Sequence, residues 1–184
     1  VNQIVDEDIA PEVVAADPFS KLEESIPTIP HGPEIFGPQR VNSRGFDLTH
    51  TPTLEALEAA RAPFATATWT ATPIIVGGTK GSEAQKVQNP TGGTSPGVVH
   101  NATTADVAAA LDAAKPWDAP LATRREVLLR AADIYEERYG EIFAVLAREA
   151  GKFLPDCVAE LREGVDFLRY YAGQATNMSP AGIF

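Results

Sequence analysis

The chain has 184 residues, which bounds it to one or one and a half domains of ordinary size. Its formal charge of −10 argues against nucleic acid and anionic membrane surfaces as partners, because the dominant electrostatic term would repel them. No apolar run reaches the roughly 18 residues that a transmembrane helix needs, and the first ten residues lack the basic flank and apolar centre of an export signal.

The elements follow in chain order. Residues 1–50 are acidic, with Asp6, Glu7, Asp8, Glu12 and Asp17 near the start, and carry prolines at 11, 18, 27, 30, 33 and 38. Such a segment buries too little apolar surface to offset its ordering entropy, so it reads as an extended linker. One short helix is expected over Pro18 to Ser25, capped by Asp17. Thr51-Pro52 then opens an alanine-rich helix to about Arg61, which Pro63 ends. Phe64, Trp69 and Ile74-Ile75-Val76 are expected to anchor a short extended stretch closed by Gly77-Gly78. Ala84–Gln88 and Gly97–His100 read as a hairpin about the turn Asn89–Gly93. A helix follows from Thr103-Thr104, burying Val107, Ala110, Leu111 and Ala114 and ending before Pro116-Trp117.

The strongest periodicity lies between Thr123 and Ala172, which predicts three helices. Thr123 and Glu126 have the spacing of a capping box, so the first helix is expected near Arg124 with Val127, Leu128, Ala131, Ile134 and Tyr135 on its inner face. Gly140 is expected to stop it. Ile142, Phe143, Leu146, Ala147 and Ala150 form the stripe of the second helix, ended by Gly151. Pro155 suits the first turn of the third, whose stripe is Val158, Leu161, Val165, Leu168 and Ala172. After Gly173 the pattern fades into loop chemistry.

Literal runs carry more than periodicity does. Arg148-Glu149-Ala150-Gly151-Lys152, Ala159-Glu160-Leu161-Arg162-Glu163 and the run Val165 to Gln174 resemble the N-terminal helical part of the aldehyde dehydrogenase superfamily. More narrowly, they resemble the glutamate-semialdehyde (pyrroline-5-carboxylate) dehydrogenase half of the bifunctional proline utilization A family, and Ile35 to Leu48 resembles the segment joining that family's two catalytic halves. The resemblance implies an α/β fold of aldehyde dehydrogenase type, of which this chain carries a mostly helical piece with one β-hairpin. Residues 1–50 would be the interdomain linker. Residues 51–184 would be the opening helices and hairpin of the dehydrogenase domain, incomplete at Phe184.

The implied reaction of the complete protein is oxidation of L-glutamate γ-semialdehyde to L-glutamate with NAD, coupled to an upstream proline dehydrogenase that uses FAD. Its partners would be the rest of the same enzyme and further copies of itself in a homo-oligomer. Such chemistry needs a cysteine nucleophile, oxyanion donors, a glutamate base and a dinucleotide site, and the family places these beyond the residues present. The chain alone is therefore expected to be inactive and to bind neither cofactor. No catalytic, cofactor-binding or metal-binding residue is assigned within it.

Cys157 is the sole cysteine, which fits a reducing, cytoplasmic setting. It sits in a first helical turn, where a thiol can be activated, but no histidine lies near it in sequence, so packing is the favoured role. His31, His50 and His100 lie far apart and match no zinc spacing. Gly77-Gly78-Thr79-Lys80-Gly81-Ser82 has the residue types of a phosphate cradle without its spacing. One substrate contact follows from the resemblance: Glu163, three residues before Asp166-Phe167, would meet the ammonium of the semialdehyde. The other reading of Glu163 is a solvated glutamate paired along its helix. Likewise, the whole chain has a second reading, a non-catalytic helical interaction module.

Overall fold

A computed structural model describes residues 2–21, 29–79 and 81–177. Residues Val1–His31 form one unit and Gly32–Phe184 another. In the first, Pro11 opens a single turn, α1 (Pro11–Val14), where its missing N–H costs nothing. Asp17 caps the next turn as expected, its carboxylate accepting the Phe19 N–H at 3.0 Å. That turn is a 3-10 helix over Pro18–Lys21, and the expected continuation through Ser25 lies outside the described residues.

In the second unit, α2 spans Thr51–Arg61 as expected, although its cap position is His50 and no side chain caps it. Leu57 is its buried contact, and Pro63 follows in a 3-10 turn, Ala62–Phe64. Strands β1 (Trp69–Ala71), β2 (Gln85–Lys86) and β3 (Gly97–Val99) make a small sheet in the order β1-β3-β2. The hairpin β2-β3 is antiparallel, with Lys86 opposite Val98. Beside it, β1 pairs in parallel with β3, Trp69 opposite Gly97, a neighbour no local signal announces. Ile74 and Val76 do not anchor the extended stretch. Ile74 is 100% exposed, and the anchoring falls to Trp69.

Helix α3 (Thr104–Ala113) starts on a capping box in which Thr103 and Asp106 exchange hydrogen bonds. Its expected inner face is not covered: Val107 is 51% and Leu111 72% exposed. Helix α4 (Leu121–Glu137) starts earlier than the Thr123 signal implied, with Pro120 at the cap position and Thr123 inside the helix. Arg124 explains the shift, since its guanidinium binds the carbonyls of Ala119 (2.9 Å) and Trp117 (2.6 Å) and gathers the entering chain. The α4 face is also rotated from the expected one. Ala132 is its buried residue, while Val127 and Tyr135 are about half exposed.

Gly140 is not a stop. Arg138 makes the break, and α5 (Tyr139–Ala150) already contains Gly140, buried against α2. A Cβ on Gly140 would lie 2.3 Å from the Ala60 carbonyl oxygen, so glycine is there for close approach. Gly151 does end α5 in the left-handed region, at φ 66°. Helix α6 (Leu154–Asn177) has Pro155 in its first turn and runs past Gly173, so Thr176 and Asn177 are helical rather than loop. The tail from Met178 to Phe184 lies outside the described residues.

The core collects Leu57, Ala132, Phe143, Cys157, Val158, Leu161 and Val165. Phe46, from the proline-rich segment, inserts beside it and makes ring contacts with Tyr139 (5.2 Å) and Phe143 (5.7 Å). Fully burying such a ring is worth about 1.5–3 kcal/mol, and half-buried Phe46 gains part of that, which helps hold residues 40–48 on the helices.

Candidate functional site

Helix α6 presents two different sides. Val158, Leu161, Val165 and Ala172 enter the core, while Glu163, Phe167 and Tyr170 follow the i, i+4, i+7 spacing of an exposed face. Phe167 is 52% exposed and stacks on Tyr171 at 6.1 Å, and Tyr171 meets Tyr170 edge-on at 5.2 Å. A shallow groove of about 240 Å³ runs along this face, lined by Leu128, Tyr135, Gly164, Phe167, Leu168 and Tyr171.

Charge along the same helix is arranged around Glu163. One turn before it, Glu160 is paired with Lys152. One turn after it, Asp166 accepts Arg40 Nη1 at 2.9 Å. Glu163 itself is exposed and has no hydrogen-bond or ion-pair partner among the described residues. A free carboxylate beside an open aromatic ring can receive a ligand ammonium, by charge-assisted hydrogen bonding and by cation–π attraction.

A strap formed by residues 40–44 lies along the edge of this face. Ser43, 2% exposed, donates its N–H to Asp166 Oδ1 (2.9 Å) and its hydroxyl to Asp166 Oδ2 (2.7 Å), and accepts Arg162 Nε at 3.1 Å. Arg169 is buried beneath it. Its guanidinium spans both Glu136 oxygens (3.1 and 2.7 Å), reaches Asp133 at 3.2 Å and donates to the Asn42 carbonyl at 3.3 Å. The Arg44 N–H closes the network on Glu136 at 2.7 Å. Periodicity could not find these contacts, because each joins residues of low hydropathy far apart in the chain.

The remaining chemistry-bearing residues are tied down. Cys157 is 1% exposed, and burial pushes its thiol pKa up, the opposite of activation. His50 bonds to Thr53 and His100 to the Ser82 carbonyl. No group of three or more potential ligands fit for a metal ion occurs among the described residues. The glycine run leads into strand β2 and not into a helix, and the Thr79 hydroxyl in it donates to Asp106. A separate cavity of about 390 Å³ lies beside Trp69, whose indole N–H donates to Glu141 at 2.8 Å. That hydrogen bond, and then Arg138, hold the Glu141 carboxyl below its usual pKa.

The chain as a whole has counterparts among known proteins. Residues 75–183 match the model of the aldehyde dehydrogenase family, and the chain belongs to that family. It is 35% identical over 193 residues to the bifunctional protein PutA of Escherichia coli (strain K12), an alignment covering 95% of this chain and 14% of that protein. A 1-pyrroline-5-carboxylate dehydrogenase from Thermus, solved with bound NAD, superposes with a TM-score of 0.66 at 25% identity, over 78% of this chain and 30% of that one. Proline utilization A from Bdellovibrio bacteriovorus shares the fold, with a TM-score of 0.72 at 22% identity over 96% of this chain and 19% of the other. The chain thus spans about 14% of the length of the PutA relative.

Proposed function

We propose that this chain is part of a bifunctional proline-catabolic enzyme whose dehydrogenase module oxidises L-glutamate γ-semialdehyde to L-glutamate with NAD. In that reading residues 1–50 are the linker after a flavin-dependent proline dehydrogenase domain, and residues 51–184 open the dehydrogenase domain. The full protein works in the cytoplasm as a homo-oligomer. Identity to the PutA relative across 95% of the chain supports the assignment, because it reaches through the linker as well as the helices.

The observation that carries the reading is the state of Glu163. The semialdehyde is an α-amino acid and brings an ammonium group, and Glu163 is an unpaired carboxylate on a rigid helix, with Phe167 one turn away on an open apolar groove. NAD would accept the hydride, and residues outside the described ones would hold it. Cys157 takes no part as nucleophile, because it is sealed in the core with its pKa raised. Isolated from the remainder, the chain should therefore be inactive. Open side chains such as Leu111, Val127 and Phe153 support a further cover supplied by the rest of the domain.

The test is Glu163→Gln in the full-length enzyme. A lost charge-assisted hydrogen bond of about 1.5–3 kcal/mol corresponds to a KM for semialdehyde roughly 10 to 100 times higher, with kcat changed much less. An unchanged KM would remove Glu163 from the substrate site.

A further inference from the structure

Glu163 sits midway between two acidic side chains on α6 that are each occupied by a cation. Glu160 holds Lys152, and Asp166 holds Arg40, which is also covered by the Phe36 ring at 3.7 Å from its centroid. Side chains three or four apart on a helix stand about 5–6 Å from each other at Cβ. The two carboxylates that hold Lys152 and Arg40 are therefore about one helical turn from Glu163 on either side. Arg162, adjacent in sequence, is likewise engaged, its Nε bonded to Ser43 Oγ at 3.1 Å. Every cation that could quench Glu163 from these positions has another partner.

We infer that Glu160 and Asp166 are positioning residues that hold Lys152 and Arg40 away from Glu163, keeping its carboxylate free for a cationic substrate group. The inference rests on the reading of Glu163 as the ammonium contact. Its physical basis is competition. Freed from Asp166, Arg40 could turn to Glu163, and Lys152 freed from Glu160 would divide between Asp156 and Glu163, so substrate would have to displace whichever cation sits on Glu163. Asp166 has a second duty in the strap, through Ser43, whereas Glu160 has none among the described hydrogen bonds, so the two arms test the idea independently.

Steady-state kinetics on the full-length enzyme with NAD and pyrroline-5-carboxylate decide it. Asp166→Asn and Glu160→Gln should each raise KM about threefold to fivefold, the factor an exposed ion pair yields, with kcat little changed. Adding Arg40→Ala to the first and Lys152→Ala to the second should restore KM, which a merely structural defect would not do. The defect should also shrink in about 0.5 M salt, where exposed charges are screened. Glu160 lies on the surface, so its variant keeps the test alive should Asp166→Asn fail to fold. If Glu163→Gln leaves KM unchanged, the ammonium reading itself has failed. If Glu163→Gln raises KM but Glu160→Gln does not, or the second substitutions restore nothing, the ammonium reading stands and the positioning role is overturned.

Discussion

Gly140 gives the sharpest contrast between a local signal and a packed structure. As a helix breaker its replacement by alanine would be neutral or stabilising, since alanine is favoured over glycine in a helix by about 1 kcal/mol. In the fold, however, the added Cβ would meet the Ala60 carbonyl oxygen at 2.3 Å and the Ala60 Cβ at 2.9 Å. α2 and α5 would have to part by at least 0.7 Å, the gap between 2.3 Å and the 3.0 Å below which such contacts are essentially never seen. Overpacking of this kind costs about 1–3 kcal/mol, and backbone on the far side offers no rotamer by which to yield. Set against the propensity gain, Gly140→Ala should destabilise the α2–α5 contact by up to about 2 kcal/mol. Native-state hydrogen exchange of the full-length protein reads this locally: amides of residues 51–61 and 139–150 should exchange faster, by up to roughly 30 times. Gly164→Ala is the control, because nothing lies within 4 Å of its Cβ position. It should slow exchange along α6 by the equivalent of about 0.5–1 kcal/mol. Slower exchange in Gly140→Ala as well would refute the close approach of the two helices.

Two more outcomes follow from the polar contacts. Arg169→Met removes the cation that Glu136 and Asp133 share among the described residues and strands the Asn42 carbonyl, so it should cost about 2–4 kcal/mol and open residues 36–46 to limited proteolysis. Unchanged cleavage of that segment would show the strap to be held without Arg169, by Phe46 and the Asp166 contacts. The Glu141 carboxylate, whose folded pKa is lowered by the Trp69 N–H and then by Arg138, contributes stability above the ordinary carboxylate range, which is lost as pH falls through the folded value. Trp69 fluorescence should accordingly change at a pH below that of a free glutamate, and Arg138→Gln should move the midpoint upward.

Those contacts also mark how far the linear pattern reaches. The ends of α2 and α5, the proline in the first turn of α6 and the β2-β3 hairpin were legible, because proline, left-handed glycine and apolar spacing act within a few residues of themselves. The start of α4 was misplaced, because Arg124 reaching back to Trp117 and Ala119 outweighed a hydroxyl and carboxylate of correct spacing. Glu163 was named from its resemblance to a family, yet nothing in the spacing told whether it was paired.

Sequence by itself therefore determined the main helical segments and where most of them end. Only tertiary structure decided which faces those helices cover, that β1 lies parallel to β3, and that Gly140 is a contact. It also decided that Glu163 stands free between two neutralised neighbours. The physical reason is range. Propensity and capping are settled by energies within one turn, whereas the partner that occupies Asp166 is Arg40, 126 residues earlier, and only folding brings the two charges together.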